Sequence, residues 1–194
     1  MNEVAFWIAL TLMEAAILHL AAIWFSPRVV SWISARRLLK FAGRLNILGY
    51  RGLPIAGRRA LTTNPDMVTA FGVYDVSQEP VRIACAIPHW DNYWSISLYA
   101  WNTENFCVIN DRTARSGQFD LVIVSGKSRY QSSEGEEVVF SPTQKGVVLV
   151  RMLVRDRDDP EELERVEAVL RKTAVVTGAG SSGPLRTAPI EVRG

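Results

Sequence analysis

Residues 67–87 read MVTAFGVYDVSQEPVRIACAI, and the way this stretch folds sets the class of the whole chain. Met67–Val76 is rich in β-branched and aromatic residues, Ser77-Gln78-Glu79-Pro80 carries turn residues, and in Val81–Ile87 the side chains of Val81, Ile83, Cys85 and Ile87 alternate onto one face. A period of two with turn chemistry between is a strand–turn–strand signal, because successive side chains on a pleated strand point to opposite faces. The pattern continues downstream. Tyr93–Trp101, Phe106–Asn110, Phe119–Ser125, Val138–Phe140 and Gly146–Val154 are further strand-like runs, with loop residues at Pro88–Asn92 and a turn at Asn102–Asn105. Asp156–Pro160 then caps a helix over Glu161–Thr173 that sets Leu163, Val166, Val169 and Leu170 on one face. About seven strands at intervals near ten residues predict a mainly β, antiparallel β-sandwich-like domain over residues 61–173, closed by a C-terminal helix.

The cysteines follow from that order. Cys85 and Cys107 lie in runs that flank Tyr93–Trp101. In a three-strand meander the outer strands stand about 10 Å apart, beyond the roughly 7 Å Cα separation that a disulfide tolerates. Two free, packed thiols are expected.

Upstream, Val4–Phe25 reads VAFWIALTLMEAAILHLAAIWF, 22 residues with only Glu14 and His19 ionisable. At 1.5 Å per residue it reaches about 33 Å, enough for a hydrocarbon core of roughly 30 Å. A cleaved signal would want a basic start, a shorter apolar core and a small-x-small site. Here the chain starts Met1-Asn2-Glu3 and the run ends Ile23-Trp24-Phe25 before Ser26-Pro27, so residues 4–25 are read as an uncleaved transmembrane helix, with Trp7 and Trp24 toward opposite interfaces. Glu14 and His19 stand about 140° apart on a helix. A carboxyl group in lipid costs about 3 kcal/mol, so a polar group on a partner helix is one expectation for the pair, and a protonated Glu14 beside a tolerated neutral His19 is the other.

Between Ala15 and Pro65 there are eight basic residues and no acid, whereas from Asp66 onward acids outnumber bases 18 to 14. Residues 28–48 carry Val29, Ile33, Leu38, Phe41 or Ala42, Leu45 and Leu48 at helical spacing, with Arg36, Lys40 and Arg44 as a stripe on another face beside Arg37. This pattern predicts a basic amphipathic linker helix against anionic lipid headgroups through Arg36, Arg37, Lys40 and Arg44. Nucleic acid is not expected as a partner, because the basic run lacks interleaved stacking aromatics and abuts the apolar span.

The whole chain has 194 residues and 48% apolar content, which excludes a disordered or fibrous protein. His89 is the only histidine outside the apolar helix, so no multi-histidine metal site is expected, and no cofactor. Thr173–Gly183 reads TAVVTGAGSSG and matches GxGxxG, but Pro184 follows at once and the acid that a dinucleotide site requires has no room. Residues 177–194 are read instead as a flexible tail. Polar and aromatic residues gather at His89–Trp94, Asn102–Asn105 and Asn110–Arg112. In an up-down sheet His89, Asp91, Tyr93, Asn110, Asp111 and Arg112 share one rim, a candidate ligand site or, with His89 as base, a hydrolase-like one. The competing account is that Asn and Asp cap turns and Arg112 pairs locally. No residue is assigned a catalytic role.

The segments NPDMVTAFGVYDVSQEPVRIACAIP, NYWSISLYAWNTENFCVINDR, FDLVIVS, SPTQKGVVLVRMLV and DDPEELERV, in order from Asn64 to Val166, resemble the bacterial family known as domain of unknown function 1254; LHLAAIWFSPRVV is similar to its short membrane-anchored members. Tyr93, Trp94, Tyr99, Asn110, Asp111 and Arg112 match its recurrent pattern as signature positions. The resemblance implies a mainly β, sandwich-like domain, no established activity, and a companion, domain of unknown function 1214, encoded nearby or fused. It also implies export of the domain, whereas the basic residues after the apolar helix argue for the cytoplasmic side. The expectation is an inner-membrane, single-pass protein with a periplasmic domain, the cytoplasmic side remaining open. Its function is expected to be that of a non-catalytic envelope accessory module acting with a membrane partner through Glu14 and His19; the alternative is a small-ligand binder or hydrolase-like enzyme using the polar rim.

Overall fold

The computed structural model describes residues 2–51, 64, 66–86, 92–114 and 118–177. Helix α1 (Glu3–Ala42) leads into β1 (Gly49–Arg51), β2 (Met67–Asp75), β3 (Val81–Ala86), β4 (Trp94–Ala100), β5 (Asn105–Asn110), β6 (Gln118–Ser125), β7 (Glu136–Ser141), β8 (Lys145–Leu153), α2 (Pro160–Lys172) and β9 (Ala174–Thr177). The strands make two sheets, ordered β1-β2-β8-β4-β5 and β7-β6-β3-β9. Every pair is antiparallel except β6 with β7. The seven strands and C-terminal helix predicted from sequence are present, with ends within two residues of those expected. β1 and β9 are additional, and at three and four residues are too short to display a period.

One core lies between the sheets. Val68, Ala70 and Tyr74 of β2, Val148, Val150 and Met152 of β8, and Trp94, Ile96 and Leu98 of β4 face Val81 and Ile83 of β3 and Leu121 and Ile123 of β6. Helix α2 packs on β2, β8 and β3 and buries Val166 and Leu170 in the same core. Its start is set locally: the Asp159 carboxylate accepts from the Glu161 N–H, and Pro160 occupies the first turn, where its missing N–H costs nothing. A polar tie crosses between the sheets where the Tyr74 hydroxyl meets Ser141 Oγ at 2.9 Å. Burial pushes the Tyr74 phenol up to about 12, against the opposing effect of that hydrogen bond. Gly146 lies beside it, and a Cβ there would collide with the Tyr74 ring and hydroxyl and with the Tyr99 carbonyl, so glycine is required by space.

The meander expected over residues 81–110 is not formed. β3 pairs with β6 and β9, while β4 lies between β8 and β5 in the other sheet. Cys85 and Cys107 therefore belong to different sheets, and both are free thiols. The absence of a disulfide agrees with expectation, but a strand between them in one sheet is not the cause. Alternation fixes which side of a strand is buried; it carries no information on which strand lies alongside, because the inner faces of both sheets require the same pattern.

The two helical segments expected at 4–25 and 28–48 are one unbroken helix that ends at Ala42. Pro27 removes a single rung of the backbone ladder, and the Arg28 guanidinium supplies a donor close by, to the Trp24 carbonyl at 2.5 Å. Termination comes from Gly43, whose φ of 88° is left-handed and whose N–H returns to the Leu39 carbonyl at 2.8 Å. The apolar face read as turned to lipid is not packed on the sheet. Ser31 and Ala35, one turn apart, are buried against β1 and β2, while Val29 and Ile33 are 51% and 39% exposed. Small residues let the helix approach the sheet closely, and the bulky ones are left facing outward. Arg44 lies past the helix end rather than on a basic stripe of it. Asn46 then fastens this end to β2: its side-chain oxygen accepts from the Asp75 N–H at 2.7 Å, its amide donates to the Asp75 carbonyl at 3.3 Å, and its own N–H donates to the Val73 carbonyl.

Candidate functional site

The outer face of the five-stranded sheet carries the site. Residues alternate, so those between the core positions of β2, β8 and β4 face the C-terminal half of α1. Register places Thr69 of β2 opposite Arg151 of β8, Arg151 opposite Ser95 of β4, and Ser95 opposite Asn110 of β5, which makes one polar row across four strands. The next row is mostly apolar: Phe71, Leu149, Ser97 and Val108. Between these rows and the helix lies a cavity of about 350 Å³. Leu38, Met67, Phe71, Val147 and Leu149 give it apolar walls, with Tyr99 at one side. Ser34 and Arg37 from α1, and Thr69 and Arg151 from the sheet, give it a polar end.

The polar row is short of partners. Thr69 Oγ1, Ser95 Oγ and Arg151 Nε are the buried side-chain polar atoms without a hydrogen-bond partner among the described residues, and all three fall on adjacent positions of that one row. Thr69 and Ser95 are 1% and 0% exposed. Among the described residues no carboxylate pairs with Arg151 or Arg37. On the outside of the other sheet the opposite holds. Arg82 pairs with Asp120 at 2.8 Å and with Glu136, and Glu136 also accepts from the Tyr130 hydroxyl and the Ser133 N–H, both at 2.9 Å. That cluster is closed on itself; the Ser133 N–H first, and the Arg82 charge with it, holds the Glu136 carboxyl below the usual carboxylate range.

Of the rim residues singled out in the sequence, His89 and Asp91 lie outside the described residues. Tyr93 precedes β4 and is partly exposed, and its carbonyl accepts from the Leu153 N–H. Asn110 ends β5, where its side-chain oxygen accepts from the Arg112 and Thr113 N–H groups, both at 3.0 Å, so it organises its own turn. Asp111 and Arg112 are exposed on that turn. The rim and the cavity are linked through the row that runs from Asn110 to Ser95 and Arg151. On α1, Glu14 and His19 are exposed. Arg28 stacks on Trp24 at 3.8 Å and Arg36 on Trp32 at 3.7 Å, while Arg37 turns to the cavity and Lys40 is exposed. Among the described residues no group of three His, Cys, Asp or Glu side chains converges as a metal site.

Thr69, Ser95 and Arg151 were not among the residues that the sequence picks out. Arg151 left one mark there: it is the single charge inside the apolar run VVLVRMLV, at an outward-facing position of the period. Thr69 and Ser95 left none, since a hydroxyl residue in a strand is ordinary.

The fold and this face define a two-sheet β-sandwich protein preceded by a long apolar helix, with a basic and apolar cavity beneath the helix. Residues 48–177 match the family described as protein of unknown function, DUF1254, and the chain belongs to that family. The crystal structure of the VPA0106 protein from Vibrio parahaemolyticus is similar, with a TM-score of 0.65 at 15% identity over 88% of this chain and 41% of that one. A putative uncharacterized protein from Burkholderia cenocepacia aligns with a TM-score of 0.49 at 11% identity, over 74% of this chain and 37% of that one. The chain thus spans less than half the length of these structures. No curated protein matches.

Proposed function

We propose that the chain is a single-pass inner-membrane protein, in which α1 holds the β-sandwich at the periplasmic surface of the bilayer as a non-catalytic accessory module for a membrane partner. The observation that carries this reading is the two-sided nature of α1. From Val4 to Ile33 nearly all its large apolar side chains are exposed, and the buried residues of the helix are the small Ser31 and Ala35. Leaving more than a dozen bulky apolar side chains in water would cost on the order of 1.5–3 kcal/mol each relative to burial, so lipid is the environment that fits them. Glu3–Lys40 is long and apolar enough to cross a membrane. The Trp24–Arg28 and Trp32–Arg36 stacks, eight residues apart, suit an interfacial belt on the side of the domain. Glu14 and His19, on different faces of the span, are the groups for a partner helix, and a protein with a domain-of-unknown-function 1214 fold is the candidate that the family suggests.

The test is in two parts. Alkaline carbonate extraction of membranes is expected to leave the full chain in the pellet; release to the supernatant would overturn the tether. Glu14→Leu is expected to leave extraction unchanged and to remove a protein that co-purifies in mild detergent. Identical co-purification from the variant and the wild type would overturn the partner role.

A further inference from the structure

We propose that the cavity between α1 and the outer face of the five-stranded sheet binds an amphipathic anion: an acyl chain ending in a carboxylate or a phosphate. Arg37 and Arg151 take the head, and Leu38, Phe71, Leu149 and Val147 take the chain. The inference goes beyond the tether reading and rests on it only for the source of the ligand.

Three observations on the same face carry it. First, the cavity is divided. At about 350 Å³ it falls at the small end of ligand pockets, and its walls change from Phe71 and Leu149 in one row to Thr69 and Arg151 in the next. A wholly apolar ligand would leave the polar end unmatched, and a wholly polar one would strand the apolar walls. Second, the charge in it is uncompensated. Arg151 is partly buried with its Nε buried and unpartnered, the exposed Arg37 stands across the cavity, and no carboxylate among the described residues pairs with either. The buried Nε of Arg151 calls for a hydrogen-bond acceptor, and its charge for an anion. Arg82 on the other sheet, which has Asp120 and Glu136, illustrates how this fold satisfies such a group internally. Third, the buried unpartnered side-chain polar atoms among the described residues are Arg151 Nε and the hydroxyls of its two register neighbours, Thr69, which lines the cavity, and Ser95 on the next strand. Buried polar groups are otherwise nearly always paired, so their clustering on one row marks a place built for an external acceptor. The Thr69 hydroxyl and the guanidiniums together supply donors to an oxyanion.

Position favours a lipid-derived source. Arg37 lies nine residues past Arg28, about 14 Å along the helix. If the Trp24–Arg28 stack marks the membrane boundary, the cavity stands just beyond the headgroup layer, where free fatty acids and lipid phosphates are the abundant acyl anions.

The test uses the full chain in a neutral detergent with a rigid sterol body, too bulky for the cavity. Dodecanoate labelled with ¹³C at the carboxyl is titrated in and followed by NMR, and dodecyl phosphate is followed in parallel by ³¹P. One bound resonance per chain is expected, distinct from the micellar one, and its head group is expected to stay ionised to a lower pH than in micelles. Arg151→Gln is expected to weaken binding at least tenfold and to raise that titration. Leu38→Trp, on the helix side, is expected to abolish binding with an unchanged urea midpoint, and Lys127→Gln, in the turn after β6 of the other sheet, to leave binding intact. Binding of dodecanoate alone, or of dodecyl phosphate alone, assigns the head group and supports the proposal. Absence of a distinct bound resonance for either, equal displacement by dodecyltrimethylammonium, or unchanged binding in both Arg151→Gln and Leu38→Trp would overturn it. Because the site is assayed in detergent, its failure is separate from failure of the tether, which carbonate extraction reads.

Discussion

Gly146→Ala is the sharpest probe of how the two sheets are joined. Gly146 lies on β8, paired with Tyr74 of β2 on one side and Ala100 of β4 on the other. A methyl group there would overlap the Tyr74 hydroxyl and ring and the Tyr99 carbonyl. Neither neighbour has room to yield: Tyr74 is 1% exposed and bonded to Ser141 across the core, and the Tyr99 carbonyl belongs to a central strand. Overpacking of this kind costs about 1–3 kcal/mol. Displacing the phenol also costs the hydrogen bond to Ser141, about 1 kcal/mol. Alanine stiffens the unfolded chain and offsets roughly 0.5–1 kcal/mol of the total, leaving a net destabilisation of about 1–3 kcal/mol. Urea unfolding of the full chain in neutral detergent, followed by tryptophan fluorescence, reads this as a midpoint lowered by about 1 M for a slope of 1–3 kcal/mol per M. Tyr74→Phe on its own removes the hydroxyl and costs about 1 kcal/mol. Combined, the two substitutions are expected to cost less than their sum by at least about 0.5 kcal/mol, since the phenol oxygen that the methyl group strikes is already gone. A Gly146→Ala midpoint equal to wild type, or strict additivity in the cycle, would refute the reasoning.

Two further outcomes follow from burial and charge. Burial raises both thiols, Cys85 most, so native maleimide labelling at pH 8 is expected to be slow at Cys107 and slower at Cys85, with both reacting fully in urea; the mass without reductant should equal the reduced mass. Labelling of Cys85 as fast in the native protein as in urea would contradict its place in the core. The Glu136 carboxyl titrates below its ordinary value of 4.5 in the folded protein, so its contribution to stability is fully present above about pH 4.5 and is lost as pH falls through the folded value. Glu136→Gln is therefore expected to flatten the acid limb of a stability-against-pH curve, and an unchanged limb would dismiss the Arg82–Glu136–Ser133 cluster as a contributor.

The legibility of the fold in the sequence depended on range. Val81, Ile83 and Cys85 alternate because one side of β3 is core, and that is a local property readable from seven residues. The Asp159–Pro160 start of α2 is equally local. The continuity of α1 through Pro27 is not, because whether one lost rung breaks a helix depends on the surroundings of that turn, where the Arg28 side chain bonds the neighbouring Trp24 carbonyl. Which face of α1 packs on the sheet is likewise not a local property. Val29 and Ile33 are the more apolar choice, but close approach to β2 is decided by size, and Ser31 and Ala35 are the residues that fit.

The amino-acid order by itself determined the element types, their approximate ends, the apolar leading helix and the family, since each of these is written in short-range periodicity, capping and motif. Tertiary structure alone decided that β3 and β4 part company into different sheets, that β6 and β7 run parallel, and that Thr69, Arg151 and Ser95 stand side by side on adjacent strands, Thr69 and Arg151 facing the same cavity as Arg37. Those residues are separated by up to 82 positions along the chain, and strand pairing, which brings them together, is governed by the shape and closure of a shared core that no single segment encodes.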